Sequence, residues 1–311
     1  MYNENYPSFD VVIIDEASKS TPPDIILPML KGRKIILVGD HKQLPPFIDQ
    51  NAYDEIEEDD DQLKKLIKVS LFEELYEKSG TDMRTMLFRQ YRMHKDIAAL
   101  INQFYVNTDA GRLESPASEF KRHCCQGRGI NADNHVIWYD VPIEKYYEKK
   151  NNKSYSNEFE AECIKKILCL LEKNLTDNNS HKSIGIITFY DAQVKLIEEK
   201  LINNGYYKQF GHITLRIGSV DRFQGMEEDI ILISFARNNN EHAIGFARDS
   251  RRINVALSRA KELLIIVGSS DNFIKSGNNE TSKMFENVYN IIKKLDGLKN
   301  AEDLPELYVN S

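Results

Sequence analysis

The sequence predicts an α/β protein of parallel sheets with flanking helices. Two observations carry that expectation: short, continuous apolar runs rich in Ile and Val recur along the chain, and amphipathic stretches alternate with them. A strand covered by helices on both faces has no polar alternation, so it reads as an unbroken apolar run.

Val11 to Ile14 is the first such run, and it ends in Asp15-Glu16. Open α/β sheets take their ligands at the carboxyl ends of strands, which places these acids for chemistry. A lone acid pair in this position also suits an ordinary helix N-cap. A helix is expected from Pro22 to Leu30. A second buried strand, Ile35 to Val38, leads into the loop Gly39-Asp40-His41-Lys42-Gln43-Leu44-Pro45-Pro46. There Gly39 permits a tight turn, and the Gln43 amide suits a phosphate or an attacking water. After a helix near Ser70 to Ser79, strands are expected at Val136 to Tyr139, Ile184 to Thr188, Ile230 to Phe235 and Leu263 to Val267. Helices are expected at Lys95 to Tyr105, Glu158 to Glu172, Ala192 to Leu201 and Thr281 to Leu295. The polar, irregular stretches 113–134 and 174–182 read as loops. The organisation this suggests is a first domain over residues 1–80 and a second over 81–311.

A chain of 311 residues with 41% hydrophobic content accommodates two globular domains. Its net charge of −7 is unevenly spread. Residues 1–80 carry 9 Lys+Arg and 17 Asp+Glu, net −8, leaving 32 against 31, net +1, for the remainder. A near-neutral second domain does not exclude nucleic acid, because proteins that track a strand grip it through local grooves and backbone donors. Seven of the eight residues from Asp54 to Asp61 are acidic. Such a run reads as a solvated loop, and consecutive acids do not converge into a nuclease centre. Cys124 and Cys125 are adjacent while Cys163 and Cys169 stand apart, so there is no paired C-x-x-C spacing. His123 beside Cys124 lacks the second ligand pair that zinc needs, and reduced thiols are the plain reading. No stretch reaches the ~18 to 20 apolar residues of a membrane span, and no signal-peptide pattern opens the chain, which points to a cytoplasmic protein with no membrane partner.

Four further blocks stand out: Leu87-Phe88-Arg89-Gln90-Tyr91-Arg92-Met93-His94, Ile184 to Gln193, Gly218 to Glu227, and Arg251 to Lys261. With Asp15-Glu16 and the Gln43 loop, in this order, they are similar to the motifs of superfamily 1 helicases, in the branch typified by the nonsense-mediated-decay RNA helicase and its DNA-processing relatives. The resemblance covers almost the whole chain. It implies RecA-like domains of the P-loop NTPase helicase fold, the first incomplete, and ATP-driven movement on single-stranded DNA or RNA. Asp15, ending a Walker B strand, would hold Mg²⁺, a hard ion that keeps several waters and needs only one or two carboxylates. Glu16 would orient and deprotonate the attacking water. The resemblance further implies that Gln43 senses the terminal phosphate, Tyr91 stacks on adenine, Arg92 and Arg259 reach the γ-phosphate, and Glu227 faces the ribose. Thr188, Ser219 and Val220 would meet the nucleic-acid backbone. Where the family has proline after that threonine, this chain has Phe189. Two arginines suit phosphoryl transfer, because fixed guanidinium donors stabilise charge spread over the γ-oxygens; in small GTPases such a finger is worth ~10³ to 10⁵ in rate. Arginines that reach the nucleotide only on domain closure would couple hydrolysis to movement.

A phosphate-binding P-loop requires G-x-x-x-x-G-K-[ST], whose backbone N–H groups cradle phosphates and whose lysine neutralises them. The nearest stretch, Gly32-Arg33-Lys34, has the wrong sequence and the wrong place. The expectation is therefore the C-terminal part of a larger helicase, using ATP and Mg²⁺, inactive alone, and partnered by an N-terminal P-loop-bearing segment or chain. Its Val11 and Ile35 strands would then expose unpaired edges or apolar faces. The competing expectation is a non-catalytic nucleic-acid-binding or regulatory module derived from a helicase. Keeping Asp15, Glu16, Gln43, Arg92, Glu227 and Arg259 together favours the first, since a binding module has no chemical need for them.

Overall fold

The computed structural model describes residues 8–46, 70–106, 108, 111–116, 123, 125, 127, 130–203, 205–277 and 279–305. The acidic run 54–61 and Cys124 lie outside them. The chain divides into two compact units, Met1–Met86 and Leu87–Ser311.

In the first unit, β1 (Phe9–Ile14) and β2 (Gly32–Leu37) pair in parallel, with Val12 opposite Ile35 and Ile13 opposite Ile36. Between them runs α1 (Pro22–Met29), and α2 (Leu71–Lys78) follows. Thr21 and Asp24 close a capping box at the start of α1, and Pro22 occupies a first-turn position where its missing N–H costs nothing. Ala17, Ile25 and Phe72 form a small core with Ile14, Met29, Leu37 and Leu71 against it. On this strand pair Val11, Ile13 and Ile36 are exposed, Ile13 by 65%.

The second unit holds α3 (Lys95–Ile101), β3 (Val136–Asp140), β4 (Lys149–Asn151), β5 (Ser154–Ser156), α4 (Glu158–Asp177), β6 (Lys182–Thr188), α5 (Asp191–Glu198) and β7 (Ile213–Ser219). It continues with β8 (Glu228–Ser234), α6 (Ser250–Leu257), β9 (Ala260–Gly268), α7 (Ser270–Ile274), α8 (Asn279–Lys294) and β10 (Leu298–Asn300). Six strands form one sheet in the order β10-β3-β9-β8-β6-β7, parallel throughout. Its centre is buried on both faces, as the unbroken Ile230-Ile231-Leu232-Ile233 requires. Cys163, Ile164, Ile167, Leu168 and Leu171 of α4 pack with Ile184, Ile186, Ile230, Leu232, Leu263 and Ile265. Trp138 packs instead near Phe235, which contacts Phe273 and Phe285 of α7 and α8 at ring-centre distances of 4.4 and 5.6 Å.

Two sequence expectations need correction here. Residues 174–177 are not loop but the last turn of α4, because Asn174 is buried and donates to the Cys125 and Gly127 carbonyls. The strand at Ile213–Ser219 and the β4–β5 hairpin are additional to the expected elements. No helix among the described residues is long and apolar enough to cross a membrane.

Candidate nucleotide and nucleic-acid sites

In the first unit, Asp15 and Glu16 follow β1 and the Gly39–Gln43 loop follows β2, so both stand at the carboxyl ends of adjacent parallel strands. Glu16 adopts a left-handed conformation (φ 53°), and its N–H donates to Asp15 Oδ1 at 2.8 Å. The Ala17 N–H then donates to the Val38 carbonyl at 2.8 Å, tying the two strand ends together. Only glycine fits at position 39: a Cβ there would lie 2.8 Å from Ser18 N and 3.2 Å from the Phe72 ring. Asp40 organises the loop, accepting from Lys42 N (2.9 Å) and from Gln43 Nε2 (2.8 Å), while its own N–H donates to Ser18 Oγ (3.3 Å). The Gln43 amide is thus held by a loop that is itself held to the turn after Glu16.

In the second unit, residues far apart in sequence converge at the amino ends of β8 and β9. Arg92 Nε donates to Glu227 Oε2 at 2.6 Å, and Arg92 Nη1 donates to the Ser258 carbonyl at 3.4 Å. Lys261 Nζ lies 3.1 Å from the other Glu227 oxygen. All three side chains are half-exposed, and hydrogen bonds from Arg92 hold the Glu227 carboxyl below its usual range. A register shift between Glu228 and Ile230 places two β9 residues, Lys261 and Glu262, opposite Asp229. Such a bulge re-aims side chains next to functional sites. Here it turns Lys261 to Glu227 and Glu262 to Lys182, at 2.6 Å.

Arg259 lies inside the second unit. It is 1% exposed, and its guanidinium donates to Val255 O (3.1 Å), Met226 O (3.2 Å) and Ser258 Oγ (2.7 Å). It braces the turn between α6 and β9 against the residue preceding Glu227. Tyr91, by contrast, is 62% exposed. Behind the charged cluster lie three buried histidines. His94 and His135 stack with ring centres 3.4 Å apart, and His123 meets His135 edge-on at 5.1 Å. The His94 N–H donates to the Lys261 carbonyl, and His135 Nδ1 donates to the Glu262 carbonyl, so the cluster pins the Arg92 segment to β9. Burial, reinforced by neighbouring His135, pushes both His94 and His123 down to about 4.

At the opposite, carboxyl end of the sheet, Thr188 and Val220 are buried and Ser219 is half-buried. Among the described residues the Thr188 hydroxyl has no hydrogen-bond partner. Beside it runs a buried polar chain that sequence reasoning missed. Gln193 Nε2 donates to Ser234 Oγ (2.9 Å), Ser234 Oγ donates to Glu160 Oε2 (2.7 Å), and the Ala236 N–H donates to that same oxygen (2.8 Å). Burial pushes the Glu160 carboxyl up to about 8, favouring its protonated form. Asn157-x-x-Glu160 has the form of a capping box, and that local reading conceals the long-range role.

Comparison with known proteins defines the class. A family model described as "AAA domain" matches residues 67–271, and another of the same description matches residues 2–51. An uncharacterized ATP-dependent helicase of Methanocaldococcus jannaschii is 33% identical over 273 residues, covering 86% of this chain and 37% of that protein. DNA polymerase alpha-associated DNA helicase A of Schizosaccharomyces pombe is 33% identical over 277 residues, 85% of this chain and 37% of that one. The regulator of nonsense transcripts 1 homolog of Neurospora crassa is 31% identical over 262 residues, 84% and 22% respectively. The chain spans about a fifth to two fifths of the length of these relatives. Among solved structures, a complex of arterivirus nonstructural protein 10 (helicase) with DNA aligns with 85% of this chain and 41% of that chain, at a TM-score of 0.35 and 13% identity. The chain belongs to the superfamily 1 helicases. Within them it falls in the branch typified by the nonsense-mediated-decay RNA helicase and its DNA-processing relatives.

Proposed function

We propose that these residues form the part of an ATP-dependent helicase or translocase that runs from the metal-holding acid to the motif VI arginine, acting on single-stranded DNA or RNA. The convergence of Arg92, Glu227 and Lys261 from three separate segments carries this reading. A half-exposed carboxylate holding two cations is an arrangement that an incoming nucleotide can enter by exchange, its phosphates taking the guanidinium and leaving Glu227 for the ribose. In the first unit, Glu16 is the base that orients the attacking water, and Gln43 is the phosphate sensor. Asp15 is exposed beside it and fits a hydrated Mg²⁺, which needs one or two carboxylates and supplies charge neutralisation of the phosphates. The 311 residues contain no phosphate loop, so the reading assigns that part of the nucleotide site to residues outside them. Thr188, Ser219 and Val220 mark the strand ends that approach nucleic acid, through backbone rather than through the buried Thr188 and Val220 side chains.

The test is ATP turnover, with and without a single-stranded oligonucleotide, by the longest natural polypeptide containing these residues. Glu16→Gln is expected to lower turnover on the order of 10² to 10⁴, the usual contribution of a general base, with nucleotide binding retained. Undiminished turnover in that variant contradicts the assignment. The inward bonding of Arg259 favours a second reading, in which the motifs persist as the scaffold of a binding module. Oligonucleotide binding with no turnover in the unaltered protein would establish it.

A further inference from the structure

Between β3 and α4 the chain spells Tyr147-Glu148-Lys149-Lys150-Asn151-Asn152-Lys153-Ser154-Tyr155, outside the motif blocks described above. Asn152, at φ 55°, turns it into the β4–β5 hairpin. Lys149, Lys150 and Lys153 are exposed, and none of their ammonium groups forms an ion pair or hydrogen bond among the described residues. Three unneutralised positive charges therefore sit on one short hairpin.

This hairpin is fixed to the carboxyl end of the sheet. The Glu148 N–H donates to the Asn238 carbonyl, and the Ala192 N–H donates to Ser154 Oγ. Buried Arg237 pairs with Glu148 at 2.9 Å and lies 4.0 Å from the centre of the Tyr155 ring. Tyr155 is 5.4 Å from Tyr190, and Tyr190 is 5.2 Å from the exposed Phe246. An aromatic row thus joins the hairpin to the segment that follows Thr188. At its hairpin end opens a cavity of about 390 Å³, lined by Tyr147, Tyr155, Arg237, Asn240, Glu148 and Glu241 among others. Glu148 is neutralised by Arg237, so the lysines outweigh the one remaining acid of the cavity.

We propose that the β4–β5 hairpin and this cavity are a contact site for single-stranded nucleic acid. The lysines supply cationic contacts to phosphates, and Tyr147, 46% exposed with its hydroxyl anchored 3.0 Å from Asn240 Oδ1, presents a stacking face to an unpaired base. A strand rather than a duplex fits, because stacking on Tyr147 needs a base face, and in a duplex both faces are already covered by neighbouring base pairs. The proposal rests on the nucleic-acid part of the function above and extends it to residues outside the motifs.

The experiment is binding of fluorescent oligothymidine and oligouridine to the full 311-residue chain, followed by anisotropy over a series of salt concentrations. Replacing Lys149, Lys150 and Lys153 together by Glu is expected to raise Kd on the order of tenfold or more. It should also lower the slope of log affinity against log salt by about 2, from ~0.7 per lost phosphate contact. The same three positions changed to Arg should retain wild-type binding, and Tyr147→Ala should weaken it about fivefold or more. Wild-type binding with an unchanged Kd and salt slope in the Glu variant overturns the hairpin site while leaving the helicase reading intact. Failure of the unaltered chain to bind either oligonucleotide removes the nucleic-acid reading and the hairpin site with it.

Discussion

The two ends of the six-stranded sheet are chemically unlike. At the amino ends of β8 and β9, charge is half-exposed and paired across distant segments, in Arg92, Glu227 and Lys261. At the carboxyl ends of β6 and β8, polar groups are fully buried and burial raises the pKa of the Glu160 carboxyl. A charged ligand can exchange into the first arrangement, because each ion there keeps part of its hydration. It cannot exchange into the second, where breaking any bond leaves a dry, unpaired group. The amino ends are therefore compatible with a charged ligand that comes and goes. The carboxyl ends hold a fixed shape beneath an outer surface of aromatics and lysines.

The largest effect expected of this contrast is on stability. Glu160→Ala removes the acceptor for both the Ser234 hydroxyl and the Ala236 N–H, and should cost about 2–6 kcal/mol in urea unfolding, at ~1–3 per orphaned group. Glu160→Gln keeps an oxygen there and should cost much less. Equal losses in the two variants would mean that the carboxyl end is not held by this acceptor.

The pH dependence should have opposite signs at the two ends. The unfolded chain ionises Glu160 above 4.5 while the folded protein keeps it protonated up to about 8, so this contribution is full below 4.5 and lost as pH rises through about 8. His94 and His123 protonate near 6.5 when unfolded but only near 4 when folded, so their contribution is present above 6.5 and lost as pH falls toward 4. Urea midpoints against pH should show both limbs. Glu160→Gln should flatten only the alkaline one, and flattening of the acid limb instead would reverse the assignment.

What the sequence reveals follows from the same physics. Strands β3, β6, β8 and β9 are legible because strands buried on both faces are continuous apolar runs. The edge strand β7 is not, since Ile213, Leu215 and Ile217 alternate with exposed Thr214 and Arg216 next to a block that reads as a motif. The motif residues are legible one by one, but the bond from Arg92 to Glu227 joins positions 135 residues apart, and no local pattern encodes it. Lys261 closes the same block as Arg259, yet only the arginine stands out there by residue type. Strand alternation gives no signal for Lys261, because the bulge at Lys261–Glu262 interrupts it. The hairpin is hidden because lysine and asparagine read as ordinary surface.

The separation of these two ends is measured most directly by Arg92→Ala. ATP turnover and oligonucleotide affinity would be read on the same preparation of the longest natural polypeptide containing these residues. Turnover should fall on the order of 10³, at the low end of what an arginine finger supplies, with oligonucleotide Kd unchanged. Turnover preserved while oligonucleotide binding is lost would contradict the separation.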